Sequence, residues 1–188
     1  MSESLERLEE ARKVLSTADC LHTEVHVQSA LDAMALDIGQ VYAELNPVLL
    51  CVMNGGLVPA GELMKRLEFP FEFDYLHATR YRGRTTGREL FWQRRPAPEL
   101  ITDRHVLVID DILDEGHTLA AIRAELNALY PRSLRVAVLV EKRHDRRAPG
   151  AEAEFVGLEV EDRYVFGCGM DYKEYWRQLP AVYAVKGL

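Results

Sequence analysis

Cysteine is scarce in this chain: Cys20, Cys51 and Cys168 are the only thiols among 188 residues. An odd, widely spaced set without a Cys-x-x-Cys pair excludes a disulfide framework and a zinc ribbon, and suits reduced thiols in a cytosolic compartment. Long apolar runs are also missing. No stretch approaches the about 20 residues needed to span a bilayer. The segment Met1 to Cys20 is charged and lacks the apolar centre of a signal peptide. Excess positive charge is absent too, since 23 basic residues face 30 acidic ones for a net −7. That balance argues against a nucleic-acid-coating protein, yet leaves room for a small anionic ligand on a local basic patch. Internal repeats and low-complexity linkers are lacking. What remains is a soluble, cytoplasmic chain read as a single domain over 1–188, long enough to bury roughly 70% of its unfolded surface. Hydrophobic content of 48% and charged content of 28% are ordinary for such a domain.

Periodicity predicts the elements. Leu5, Leu8 and Leu15 mark a short first helix. Val27, Leu31, Met34, Ile38, Val41 and Leu45 mark a longer one, with Thr23 as N-cap and Pro47 as its stop. Val48 to Met53, Phe71 to His77, Leu134 to Val140 and Phe155 to Val160 read as strands. Leu57 to Leu67 reads as a helix, with Pro59 tolerated in its first turn. Thr79 to Leu100 reads as a long irregular segment, and Tyr164 to Phe166 and Ala181 to Val185 as short terminal strands. Alternation of strands and helices implies an α/β fold around a mainly parallel twisted sheet. Ligands then belong at the carboxyl ends of its strands.

The most informative segment is Val106-Leu-Val-Ile-Asp-Asp-Ile-Leu-Asp-Glu-Gly-His-Thr-Leu119. Consecutive apolar residues suit a parallel strand buried on both faces. A helix from Gly116 to about Tyr130 follows, with Leu119, Ile122, Leu126 and Leu129 on one stripe. Strand, short loop and helix N-terminus together present unpaired backbone N–H groups to a phosphate. Three carboxylates beside an anion site would repel it, so they must face sugar hydroxyls, a proton to be moved, or Mg²⁺. A phosphorylated sugar is the ligand these residues ask for. Adjacent strand residues point to opposite sides, so Asp110 and Asp111 are not expected to meet one pocket by simple extension. Helix capping would explain one Asp at position 111 or 114, but three acids with Glu115, Gly116 and Thr118 exceed what capping requires.

Four further constellations carry less. Val48 to Gly56 is another strand ending at a Gly pair, either a second phosphate loop or a tight turn. Between Thr79 and Pro98 six arginines face the single acid Glu89. This is either a lid that binds phosphate and shields the reaction with Tyr81 and Trp92, or a solvated loop or oligomer contact. Glu141 to Arg147 is a charge run, a pattern usually found on solvated surface, although Lys142 stands at a strand end. In Asp162 to Tyr172, Tyr164 is core or a stacking platform. Asp171 there is a surface turn residue or a ligand for Mg²⁺.

Val106 to Leu119 resembles the phosphoribosyl-diphosphate (PRPP) signature of type I phosphoribosyltransferases. Leu139-Val-Glu-Lys142, Phe155-Val-Gly-Leu, Asp162-Arg-Tyr-Val-Phe-Gly and Gly169-Met-Asp-Tyr, with Arg177 and Pro180 beyond, are similar to the hypoxanthine-guanine branch. The likeness runs from about Leu21 to the C-terminus. It implies a Mg²⁺-dependent purine salvage enzyme converting hypoxanthine or guanine plus PRPP into IMP or GMP plus pyrophosphate. It also implies a homodimer or homotetramer. Its architecture would be a core over about 45–160, a hood from about 1–25 and 161–188, and a lid loop at 79–98.

By the same resemblance Asp114 is the acid/base group beside purine N7. Asp110 and Asp111 bind the ribose hydroxyls, with Asp110 and Asp171 around Mg²⁺. Glu115, Gly116, His117 and Thr118 cradle the 5′-phosphate. Asn54, Gly55 and Arg177 meet pyrophosphate, with Met53-Asn54 the candidate for a cis peptide. Lys142 donates to purine O6, Tyr164 stacks on the ring, and the Val165 carbonyl meets the guanine amino group. Arg80 and Tyr81 belong to the lid. The chain departs from the pattern at Asn54, where many relatives carry Lys, and at Arg80-Tyr81, which stands in place of a Ser-Tyr pair. The competing functions are a transferase for another nucleobase such as xanthine and a non-catalytic PRPP-sensing regulator. The regulator would want a basic nucleic-acid-binding face that this sequence does not offer.

Overall fold

The computed structural model describes residues 3–80 and 90–187. In chain order its first half contains α1 (Glu3–Thr17), β1 (Asp19–His22), α2 (Glu24–Tyr42), β2 (Val48–Val52), α3 (Leu57–Met64), β3 (Glu72–Arg80) and β4 (Leu90–Arg94). The second half contains α4 (Pro98–Ile101), β5 (His105–Leu113), α5 (His117–Asn127), β6 (Ser133–Arg143), β7 (Phe155–Glu161), β8 (Val165–Phe166) and β9 (Val182–Ala184). No helix among the described residues is long and apolar enough to cross a membrane.

The unbroken apolar runs became strands because both of their faces are covered. A six-stranded sheet has the order β4-β3-β2-β5-β6-β7. Every pair except β3–β4 in it is parallel. Leu49, Cys51, Leu107, Ile109, Ala137 and Leu139 point toward α2 and α3. Their neighbours Val48, Leu50, Val106, Val108, Val136 and Val138 point toward α5. The period of two therefore sorts one apolar run into two cores. On the α5 side Leu119, Ile122 and Leu126 are buried, each contributing about 2 kcal/mol through removal from water. Tyr42 closes α2 against the sheet, with its buried hydroxyl donating to the Val106 carbonyl at 3.2 Å. Burial pushes that phenol up to about 12.

Three expectations required correction. The segment from Thr79 to Leu100 is not irregular throughout: β3 runs on to Arg80, and β4 pairs with it antiparallel, Trp92 opposite Ala78 and Phe91 opposite Thr79. The surrounding arginines masked a short Leu-Phe-Trp run whose partner is remote in sequence. The second helix ends at Tyr42 rather than at Pro47, because Ala43 to Leu45 form a turn in which the Leu45 N–H donates to Tyr42 O. Asp19–His22, for which periodicity predicts no element, is a strand that pairs with β9 in a small antiparallel sheet of order β1-β9-β8. That sheet joins the two ends of the chain beside the rim where β5 and β6 finish.

Candidate active site

Strand β5 extends past its apolar run, so Asp110 and Asp111 are strand residues rather than loop residues. Both line one cavity of about 400 Å³, contrary to the expectation from simple alternation. Each carboxylate folds along the strand instead of standing away from it. Asp110 Oδ1 accepts the Asp111 N–H at 2.9 Å, and Asp111 Oδ1 accepts the Ile112 N–H at 2.8 Å. Burial, with repulsion from Asp111, holds the Asp110 carboxyl well above the usual carboxylate range. Burial also raises Asp111, partly offset by its hydrogen bonds and by Arg177. Two adjacent carboxylates on one cavity wall favour positive charge or hydroxyl donors beside them.

The loop after β2 approaches this wall closely. The peptide between Met53 and Asn54 is cis, at the bond the resemblance singled out. A Cβ on Gly55 would overlap the Asp111 carboxylate, reaching 2.7 Å from Oδ1. Met53 and Gly55 line the cavity, whereas Asn54 is exposed. On the opposite side Arg177 lines it, with Nη1 donating to Gly169 O at 2.8 Å and Nη2 paired with Asp171 Oδ1 at 2.6 Å. The Asp171 Oδ2 atom accepts the Glu174 N–H at 2.8 Å.

The turn from Asp114 to Gly116 closes the cavity at the start of α5. Gly116 has φ of 75°, a left-handed conformation that favours glycine. The turn is held from behind by the Ala148 N–H, which donates to Glu115 O at 2.8 Å. Glu115, Gly116, His117 and Thr118 all line the cavity. The first N–H groups of α5 have no partner within the helix, so they and the Thr118 hydroxyl offer donors to an anion.

A second cavity of about 220 Å³ lies alongside, lined by Lys142, Tyr164, Val165 and Asp171. The two cavities share Asp111, Ile112 and Asp114. Asp114 therefore stands where they meet. Lys142, on β6, reaches across with Nζ 2.8 Å from Asp114 Oδ2. Burial alone would raise the Asp114 carboxyl, but hydrogen bonds from Lys142 and His144 outweigh it and hold the group below its usual range. Tyr164 is 43% exposed and meets Tyr172 edge-on at 5.6 Å, which leaves ring surface toward the cavity wall. Val165 is held by β8, where it pairs with Ala184.

His144 is a site residue that the sequence pattern does not distinguish. Its ring Nε2 lies 2.8 Å from Asp114 Oδ1. The charge run around it looked like surface, yet residues 142 and 144 lie on one side of an extended chain, a spacing that was available as a signal. Asp114, His144 and Asp162 also bring three ligand-type atoms within 4.8 Å of one another. Lys142 and Arg146 already neutralise those two carboxylates, so the cluster is an ion-pair network rather than a metal cage. Of the two residues expected in a lid, Tyr81 and the side chain of Arg80 lie outside the described residues.

Comparison with known proteins agrees with this geometry. A family model described as "Phosphoribosyl transferase domain" matches residues 21–174. The hypoxanthine-guanine-xanthine phosphoribosyltransferase of Tritrichomonas foetus is 31% identical over 167 residues, covering 88% of this chain and 90% of that protein. The hypoxanthine-guanine phosphoribosyltransferase of Streptococcus pneumoniae is 28% identical, covering 93% of both chains. A crystal structure of a hypoxanthine phosphoribosyltransferase from Staphylococcus aureus superposes with a TM-score of 0.82 at 28% identity, covering 89% of this chain and 91% of that one. With a family model over residues 21–174 and a relative 31% identical along nearly the whole of both chains, the chain belongs to the phosphoribosyltransferase family.

Proposed function

We propose that this chain transfers the phosphoribosyl group of PRPP to hypoxanthine or guanine, releasing pyrophosphate and forming IMP or GMP. The observation that carries the reading is the placement of Asp114 between a phosphate-and-sugar cavity and a ring-sized one. A base in the smaller cavity and a ribose in the larger would meet beside its carboxylate.

In the reaction, purine N9 forms a bond to the anomeric carbon as the bond from that carbon to pyrophosphate breaks, and the electron pair leaves with pyrophosphate. The proton on N7 goes to Asp114, which its partners keep ionised and ready to accept. Lys142 turns from Asp114 to donate to O6, Tyr164 stacks on the ring, and the Val165 carbonyl accepts from the guanine amino group. Asp110 and Asp111 accept from the ribose hydroxyls. Glu115, Gly116, His117 and Thr118 hold the 5′-phosphate, and Asn54, Gly55 and Arg177 meet the pyrophosphate. The residues fit Mg²⁺, because the crowded Asp110–Asp111 pair favours a cation and Asp171, which lines the smaller cavity with Asp111, adds a carboxylate already oriented by Arg177 and the Glu174 N–H. Asp110 and Asp171 would hold it, and its charge would offset that of pyrophosphate. Alignment and charge compensation are the protein's main contribution.

The small sheet β1-β9-β8, with residues of about 1–25 and 161–188, acts as the hood that brings Tyr164 and Val165 over the base. Three free thiols suit a cytoplasmic enzyme. Exposed Phe73, Tyr75 and Phe91 on the β3–β4 side suit assembly as a homodimer or homotetramer, which light scattering checks. Xanthine is a second base to consider, because the Tritrichomonas relative carries it in its name. The decisive assay incubates the protein with PRPP, Mg²⁺ and each purine base. Turnover of hypoxanthine or guanine is expected; turnover of neither would refute the reading.

A further inference from the structure

The Asp114 carboxylate is held from two sides by partners of different kinds. On Oδ2 sits Lys142, a long flexible side chain that the proposed reaction calls to the purine oxygen. On Oδ1 sits His144, whose side chain is only 3% exposed. The other ring nitrogen of His144 is also engaged, because the Arg146 N–H donates to Nδ1 at 3.1 Å. A nitrogen that accepts carries a lone pair, so the ring proton is on Nε2 and points at Asp114. Arg146 is itself anchored, its guanidinium pairing with Asp162 at 2.8 Å and with Glu115 at 3.6 Å. His144 is therefore enclosed, with both ring nitrogens engaged.

We propose that His144 is the positioning residue of the transfer step: it pins Asp114 Oδ1, so that Oδ2, vacated by Lys142, is the oxygen that receives the purine proton. This deepens the reading of Asp114 as the acid/base group and rests on it. The balance is simple. The N7 proton moves to Oδ2, the N9 lone pair makes the new bond to the sugar, and pyrophosphate leaves with the old bonding pair. His144 gains and loses nothing. Its hydrogen bond keeps the carboxylate plane aimed across the junction of the two cavities after Lys142 has left, when nothing else described holds it.

The titratable and charged groups facing Asp114 are Lys142 on β6, His144 just after it, Glu115 in its own turn, and Asp162 beyond β7 with Arg146 upon it. Asp110 and Asp111 stand at the same strand end, and Asp171 faces it across the smaller cavity. Among these, His144 lowers the Asp114 carboxyl, so removing the ring raises it.

The test compares His144→Ala, His144→Asn and His144→Gln, with Asp114→Asn as reference. Gln places an amide donor near the position of Nε2, while Asn places one near Nδ1. Expected for Ala and Asn is a fall in kcat of about 10- to 100-fold, the loss that corresponds to one hydrogen bond to a charged group. The KM for PRPP should stay unchanged and the acidic limb of kcat/KM for the base should move to higher pH, with Gln restoring both. Unchanged kcat and an unmoved acidic limb in His144→Ala would overturn the proposal, as would equal losses for Gln and Asn. If Ala does not fold, the Gln–Asn comparison decides, together with ¹⁵N NMR of the unaltered enzyme. A proton on Nδ1 of His144 would overturn the proposal and one on Nε2 supports it. Full activity of Asp114→Asn would instead remove the underlying reading; an inactive Asp114→Asn with a normal His144→Ala removes only the role of His144.

Discussion

Adding one methyl group to Gly55 should be among the most damaging small changes this chain can suffer. The new Cβ would overlap the Asp111 carboxylate, with Oδ1 at 2.7 Å. Asp111 is 9% exposed and packed in the cavity wall, so it must turn. Turning breaks the bond that its Oδ1 accepts from the Ile112 N–H at 2.8 Å. Overpacking a dense wall costs about 1–3 kcal/mol. Losing a hydrogen bond to a charged group costs about 1.5–3 kcal/mol. The two together place Gly55→Ala about 2.5–6 kcal/mol below the parent, a fall in Tm of about 5–24 °C for a chain of this length. Gly39 supplies the matched control. It lies inside α2, an added Cβ meets nothing within 4 Å, and Gly39→Ala should stabilise by about 0.5–1 kcal/mol through helix propensity. Thermal unfolding of both variants measures the contrast, and calorimetric titration with PRPP and Mg²⁺ should show weakened binding for Gly55→Ala alone. If the two variants melt at the same temperature, or if Gly55→Ala binds PRPP as the parent does, the close-approach argument is refuted.

Asp114→Asn should lower kcat by about 10²- to 10⁴-fold, the usual range for a general acid/base, while PRPP affinity is retained; small and equal changes in both would remove Asp114 from that role. Lys142→Ala should weaken binding of the base and spare PRPP, and a calorimetric titration showing the reverse would sink the assignment. For Asp110 the sign runs the other way from a salt-bridged acid. Its folded-state pKa is raised above the unfolded value near 3.9, so the folded form binds the proton more tightly and stability falls as pH rises through that window. Asp110→Asn should therefore raise the Tm of the free protein at neutral pH and weaken PRPP–Mg²⁺ binding; a lower Tm would contradict the burial argument.

The local code carried much of this protein. Consecutive apolar residues identified β2, β5 and β6, because only a strand covered on both faces needs them. Thr23 marked the start of α2, and its side chain does accept the His26 N–H. The order of acids, glycine and threonine from Asp110 to Thr118 located the cavity, since strand end, turn and helix start are contiguous in the chain. What local patterns could not decide were partnerships across sequence. The pairing of β4 with β3 depends on register, and β1 is a four-residue strand with no apolar alternation. The shared cavity of Asp110 and Asp111 depends on side chains lying along the strand, which alternation alone forbids. His144 is 30 residues from Asp114, Gly55 is 56 from Asp111, and each pair meets only because parallel strands end at one rim. Sequence periodicity records which face of an element is buried; the tertiary structure alone brings the rims of separate elements together, and that is where Asp114 acquires its neighbours.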